Sequence, residues 1–262
     1  MAGLFMLAKA QGRPGLIPPR LPKGKVPAWM YHPIDIAGIA IIFTVFFALI
    51  LLSFTVDSDP NESFTAEALI FNIGFQLFLV AIAAAFALQR CSLTTWLGLK
   101  WSSWPWVFLI APTCVFLMWL LFFLIDLSGY MDWMESLGVE QLQDTVQVLQ
   151  ESDNPVIIIL MVITAVFVAP ICEEIVFRGY LYPVLKKFVG LGPALILSSI
   201  VFSAAHGHLA VLLPLFILGA LLVLIYEYTG SIWAPIAVHF CFNGATVSLQ
   251  LIARVFDLQL DV

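Results

Sequence analysis

Between residues 36 and 252 the sequence returns again and again to apolar runs, about seven in all, long enough or nearly long enough to cross a bilayer. They cover approximately 36 to 56, 67 to 89, 106 to 126, 155 to 177, 192 to 206, 209 to 227 and 231 to 252. A hydrocarbon core of about 30 Å takes about 20 such residues per helix, and backbone groups in lipid must be satisfied within the helix itself. The expected fold class is therefore all-α, a polytopic transmembrane helical bundle of about seven spans. The fifth run is short, and an eighth segment, re-entrant or interfacial, is left open. Composition agrees: the 262 residues are 62% hydrophobic and only 11% charged, with a mean hydropathy of +1.03.

Basic residues set the expected orientation. Lys9, Arg13, Arg20, Lys23 and Lys25 precede the first run, Arg90 and Lys100 lie between the second and third, and Arg178, Lys186 and Lys187 follow the fourth. The loops 57 to 66 and 127 to 154 carry Asp and Glu and no Lys or Arg. Residues 1–34 thus read as a cytoplasmic tail of a multi-pass cell-membrane protein, and the acidic loops face out. Trp96, Trp101, Trp104, Trp106 and Trp233 near cytoplasmic boundaries, with Trp133 near an outer one, fit an aromatic belt. The division expected is a tail 1–34, three spans and an acidic outer segment 35–154, a catalytic four-helix core 155–252, and a C-terminal tail 253–262. The outer segment "GVEQLQDTVQVLQESDNP" has helical periodicity. The N-terminal apolar patch has nothing basic before it and does not read as a signal peptide. Cys91, Cys114, Cys172 and Cys241 show no Cys-x-x-Cys spacing, so neither a disulfide framework nor a zinc site is implied. No basic patch suggests nucleic acid.

Ionisable groups inside a span are costly and mark function or tight pairing. Three sets stand out. Glu173, Glu174 and Arg178 lie in "EEIVFRG", where Glu174 and Arg178 are one turn apart and can pair, leaving Glu173 rotated by about 100°. Phe202 and His206 lie four apart in "FSAAH", and His239 and Asn243 four apart in "HFCFN". Taken singly, each has an ordinary structural reading: a boundary ion pair, a packing ring, a helix-to-helix hydrogen bond. Their convergence on separate spans favours chemistry.

The three sets resemble the motifs of the CAAX-protease and bacteriocin-processing (CPBP) membrane family, the type II CAAX prenyl endopeptidases and their bacterial relatives. The match runs in order over about residues 155 to 250 and includes Gly179 and the lead-in "GSIWAPI". The resemblance implies an intramembrane, glutamate-dependent endopeptidase acting on a membrane-associated peptide or lipidated protein, prenylated or carrying a leader. Glu173 would be the general base, His206 would help hold the attacking water, and His239 and Asn243 would stabilise the oxyanion. Glu174 and Arg178 would hold the helix end, with Phe202 in support. A carboxylate taken out of water is a better proton acceptor, and donors fixed in a cavity of low dielectric stabilise developing charge.

No cofactor is implied, and a zinc held by two His and a Glu is a minor alternative. There is no His-Glu-x-x-His or Gly-x-Ser-x-Gly, and "GPAL" at Gly192 to Leu195 lacks the Gly-Asp partner an aspartyl intramembrane protease needs. A different class also stays open: a non-catalytic scaffold or immunity protein, or a small-solute carrier. Counting at 1.5 Å per residue from Tyr180, Gly230 and Leu191 places Glu173 about 10 Å, His239 about 13 Å and His206 about 22 Å inside, so the fifth span must tilt or start at another level.

Overall fold

A computed structural model describes residues 24–53, 65–139 and 144–256. Expectations for the rest, including the tail before Gly24, Asp57, Asp59, Glu62, Glu140 and the last six residues, lie outside the described residues. Among the described residues every regular element is helical.

The helices are α1 (Ile34–Ser53), α2 (Ala66–Ala87), α3 (Leu93–Leu97), α4 (Val107–Leu127), α5 (Tyr130–Ser136) and α6 (Asp144–Glu151). They are followed by α7 (Pro155–Val189), α8 (Leu191–Ala204), α9 (Leu212–Thr229) and α10 (Trp233–Val255). Local chemistry sets the starts. Thr65 Oγ1 accepts from Ala68 N at 3.2 Å to begin α2, and Asn154 Oδ1 accepts from Val156 N at 3.0 Å ahead of Pro155 to begin α7. Gly98 ends α3 and Gly230 ends α9, both left-handed, and their backbones meet so closely that a Cβ on Gly98 would lie 2.1 Å from the Gly230 carbonyl oxygen.

Five helices among the described residues are long and apolar enough to cross a membrane: α2, α4 with its preceding turn, α7, α9 with its preceding turn, and α10. The described part of α1 and the 14-residue α8 are apolar but shorter. The chain is thus a multi-pass helical bundle. α4 packs along α10, α2 along α7, and α8 against α9.

Several expectations need correction. The fourth run does not stop near residue 177: α7 continues unbroken to Val189, 35 residues, about 52 Å at the usual rise. Arg178 therefore lies inside a helix and is fully buried, so it is a partner of an internal charge rather than a loop cation. The helix also explains the misfit depth of His206. Leu191 lies as far from the site as Val189 does, about 24 Å along α7 from Glu173, and the return along α8 to His206 is about 22 Å. The two counts agree once both start at the α7–α8 turn. Finally, Trp96 is buried and not an interfacial anchor, whereas Trp104, Trp106, Trp133 and Trp233 are exposed as a belt requires. The segment read as a C-terminal tail begins inside α10, which runs to Val255.

A strap of residues 24–31 crosses one end of the bundle and is tied there by polar contacts. Lys25 N donates to the Glu227 carbonyl at 3.2 Å, Val26 N to Glu227 Oε2 at 3.4 Å, and Lys186 Nζ to the Val26 carbonyl at 2.8 Å. Glu227 also accepts from Tyr182 Oη at 2.7 Å and from Lys186 Nζ. Beside it the buried Asp35 accepts from Arg90 Nη2 at 3.0 Å, Tyr180 Oη at 3.1 Å and His32 N at 2.7 Å. At the opposite end α6 buries Val148 and Leu149 against Leu69 and Met161, and Arg254 Nη1 donates to the Leu149 carbonyl at 2.8 Å. The helical reading of that segment holds over 144–151.

Candidate active site

The site is built on an irregular helix. Within α7, residues Thr164–Val168 and Glu174–Leu181 form π-helical turns, and each ends two residues before a proline, Pro170 and Pro183. A proline ring clashes with the carbonyl one turn upstream and supplies no N–H, so the turn before it widens. The bonds show the shift: Ala169 N donates to the Thr164 carbonyl and Tyr182 N to the Phe177 carbonyl, each five residues back.

Widening leaves carbonyls without helical donors, and side chains from elsewhere fill them. The Gly179 carbonyl, whose i+4 donor would be Pro183, accepts from Tyr31 Oη and from Trp96 Nε1, both at 2.8 Å. Burial holds the Tyr31 phenol well above its ordinary pKa, so it stays a donor. The Ala165 carbonyl accepts from Asn243 Nδ2 at 2.9 Å.

Between the two widened turns stand the glutamates. Arg178 Nη1 donates to Glu174 Oε1 at 2.8 Å, with both side chains fully buried, and Arg178 Nη2 reaches the Gly219 carbonyl at 3.2 Å. The pairing expected from the one-turn spacing is present. The same Glu174 oxygen also meets His239 Nδ1 at 2.9 Å. Spacing could not reveal that contact, because 65 residues separate the partners. A carboxylate oxygen paired with Arg178 accepts, so neutral His239 carries its proton on Nδ1 and turns a bare Nε2 forward.

His206 reaches the same state by a different route. α8 ends at Ala204, and His206 sits in the turn beyond it, its Nδ1 2.8 Å from the Phe202 carbonyl. A carbonyl can only accept, so this imidazole too holds its proton on Nδ1 when neutral. Both bare Nε2 atoms face one atom: Glu173 Oε2 is 4.0 Å from His206 and 4.0 Å from His239. That oxygen has no hydrogen-bond partner among the described residues. Glu173 and His206 are 22% and 29% exposed whereas His239 is closed in at 3%, so the cluster opens on the side of Glu173 and His206.

Phe202 is the ring around which these groups are arranged. It is fully buried, with Arg178 Cζ 4.2 Å from its centroid and the rings of His206, His239 and Phe177 edge-on at 4.9, 5.8 and 5.3 Å. Gly219 lets α9 approach: a Cβ there would be 3.1 Å from Phe202 Cδ1. The structure thus brings Glu173, Glu174, Arg178, Phe202, His206 and His239 into one cluster. Asn243 is one turn further along α10, held on the α7 backbone. Among the described residues, no three His, Cys, Asp or Glu side chains are grouped to hold a metal ion. Tyr31 carries no signal in the sequence and Trp96 reads there as a belt residue, because nothing in their own neighbourhood predicts a carbonyl freed by Pro183.

Residues 155–245 match the profile of the Type II CAAX prenyl endopeptidase Rce1-like family. A 92-residue stretch is 35% identical to a protein of Bacillus subtilis (strain 168) named "Putative membrane peptidase YdiL", covering 35% of this chain and 38% of that relative. No solved structure matches the chain. The matched stretch holds α7, α8, α9 and most of α10, and with them every residue of the cluster just described. Over residues 155–245, then, the chain is similar to the type II CAAX prenyl endopeptidase Rce1-like family, in the same stretch that carries the three motifs.

Proposed function

We propose that the protein is an intramembrane endopeptidase that hydrolyses a peptide bond of a membrane-associated substrate with a water activated by Glu173. One observation carries the reading: three acceptors, Glu173 Oε2, His206 Nε2 and His239 Nε2, face one another with 4.0 Å separating the carboxylate oxygen from each nitrogen. Polar groups at that spacing suit a bridging water, which can offer two hydrogens to such acceptors and keep a lone pair for attack. As the water oxygen bonds the carbonyl carbon, one of its protons passes to Glu173. The oxyanion takes a hydrogen bond from the Asn243 amide, and His239 serves as a second donor in molecules whose Nε2 has taken a proton from solvent, each donor contributing about 3 to 4 kcal/mol. Collapse breaks the C–N bond as Glu173 returns the proton to the leaving nitrogen. Glu174 orients His239 and balances its charge, as a carboxylate does behind the histidine of a hydrolytic triad.

The substrate class, a prenylated or leader-bearing peptide, rests on the resemblance alone. The basic residues around the strap favour a cytoplasmic N-terminus and a site that opens to that side. The chemistry needs no metal in this reading; the alternative is a zinc that would have to draw Glu173, His206 and His239 closer together than they stand.

The test is turnover of a fluorogenic farnesylated CAAX peptide and of a leader peptide by purified protein in nanodiscs. The wild type should cleave one of them, with or without a zinc chelator, and Glu173→Gln neither. Loss of activity on chelation would favour zinc. Wild-type protein that binds these peptides and leaves them whole would favour the scaffold reading.

A further inference from the structure

Asn243 is held by a vacancy in a helix. Its Nδ2 donates to the Ala165 carbonyl at 2.9 Å. In a regular α-helix that carbonyl would take the N–H of Ala169, but that N–H is committed to Thr164. In a π turn it would take the N–H of residue 170, and residue 170 is proline. Neither register leaves Ala165 an internal donor.

We infer that Pro170 is a positioning residue for the reaction: by withholding an N–H it leaves the Ala165 carbonyl open to orient the Asn243 amide. Only the amide nitrogen can face a carbonyl, so the contact fixes which way the amide lies and leaves its second hydrogen for another acceptor. This deepens the proposed oxyanion role of Asn243 and rests on it. It also gives the widened turn a use, since π turns cost regular bonding and recur at functional sites. The arrangement has a counterpart at the other end of the same helix, where Pro183 leaves the Gly179 carbonyl to Tyr31 and Trp96.

Pro170→Ala restores the N–H and tests the idea. A structural proline would lose stability on replacement. A positioning proline in a helix interior should leave the thermal midpoint unchanged or raised, while kcat for the fluorogenic peptide falls about 10-fold or more and KM stays put, as for a donor used mainly in the transition state. In an Asn243→Ala background the same substitution should add nothing.

A second readout needs no substrate. In protein labelled with ¹⁵N-asparagine, the Asn243 side-chain amide, assigned by its loss in Asn243→Ala, should lose its hydrogen-bonded shift and its exchange protection in Pro170→Ala. An unmoved amide signal would overturn the inference whatever the kinetics, as would independent, multiplying effects of the two substitutions. If Asn243→Ala keeps full turnover, the oxyanion reading falls, and the amide signal still decides whether Pro170 orients Asn243. Pro170→Val, which restores the N–H on a side chain near proline in bulk, runs the same test. Failure of both variants to accumulate would contradict the inference, which requires that the fold accept an N–H there.

Discussion

Carboxylates are buried at two places along the last half of α7, and the two places treat them oppositely. At the strap, both oxygens of Asp35 and both oxygens of Glu227 have donors, from Arg90, Tyr180, Tyr182, Lys186 and backbone N–H groups. At the cluster, Glu173 Oε2 and Glu174 Oε2 have none among the described residues, and the atoms facing Glu173 are imidazole nitrogens that themselves want hydrogens. A saturated carboxylate ties elements together. One surrounded by acceptors is poised for something that brings protons. Burial alone does not separate the two cases; the inventory of donors does.

The sharpest way to break this contrast is to remove one charge from each place. Glu173→Gln should reduce turnover by about 1,000-fold or more and leave the thermal midpoint unchanged, because no donor is stranded. Glu227→Leu should do the reverse, lowering stability by up to about 3 to 5 kcal/mol by leaving Lys186 without its counter-charge, with turnover per folded molecule little changed. Thermal unfolding in detergent and kinetics on the surviving folded fraction read both. A Glu173→Gln protein that unfolds early would erase the distinction.

Glu174 belongs to both categories and sharpens the line between them. Glu174→Gln strands Arg178, at a similar cost of about 3 to 5 kcal/mol, and also loosens His239. Arg178→Leu strands Glu174 but keeps its contact with His239. The folded fraction of Glu174→Gln should therefore turn over more slowly than that of Arg178→Leu. Equal rates would leave Glu174 a purely structural partner.

The smallest effect is expected at the strap's link to α7. Tyr31→Phe removes one of two donors on the Gly179 carbonyl, and Trp96 keeps the other, so stability should fall by only about 1 kcal/mol. Adding Trp96→Phe strands a buried carbonyl and should cost more than the sum of the single changes. Strict additivity would show that the two donors do not share one acceptor.

Much of this was readable in the chain. Periodic apolar runs gave the bundle, and one-turn spacing gave the Glu174–Arg178 pair. The charged and imidazole members of the cluster are visible because such groups are rare in spans. What escaped was whatever depends on a second helix. Glu174 was read as closed off by Arg178, and nothing local shows that His239 shares its oxygen. Arg178 falls just beyond the fourth run when that run is read as 155 to 177, though an internal partner lets the helix carry the charge onward. Phe202 looked like one phenylalanine among 22, and only its position between Arg178 and two imidazoles sets it apart. Pro170 and Pro183 widen turns without ending the helix, an effect that needs the bonding of the folded helix to be seen.

The strap also bears on when the protein becomes competent during synthesis. Val26 docks on Glu227, 201 residues later, and Tyr31 on Gly179, 148 residues later. Glu174 meets its histidine only after α10 has been made. A nascent chain that has inserted α7 holds the two glutamates and the arginine but neither His239 nor the far anchor of its own beginning. Contacts so distant in sequence form late. The cluster therefore cannot assemble until α10 has been made, and a product truncated before α10 would carry Glu173 and Glu174 without His239.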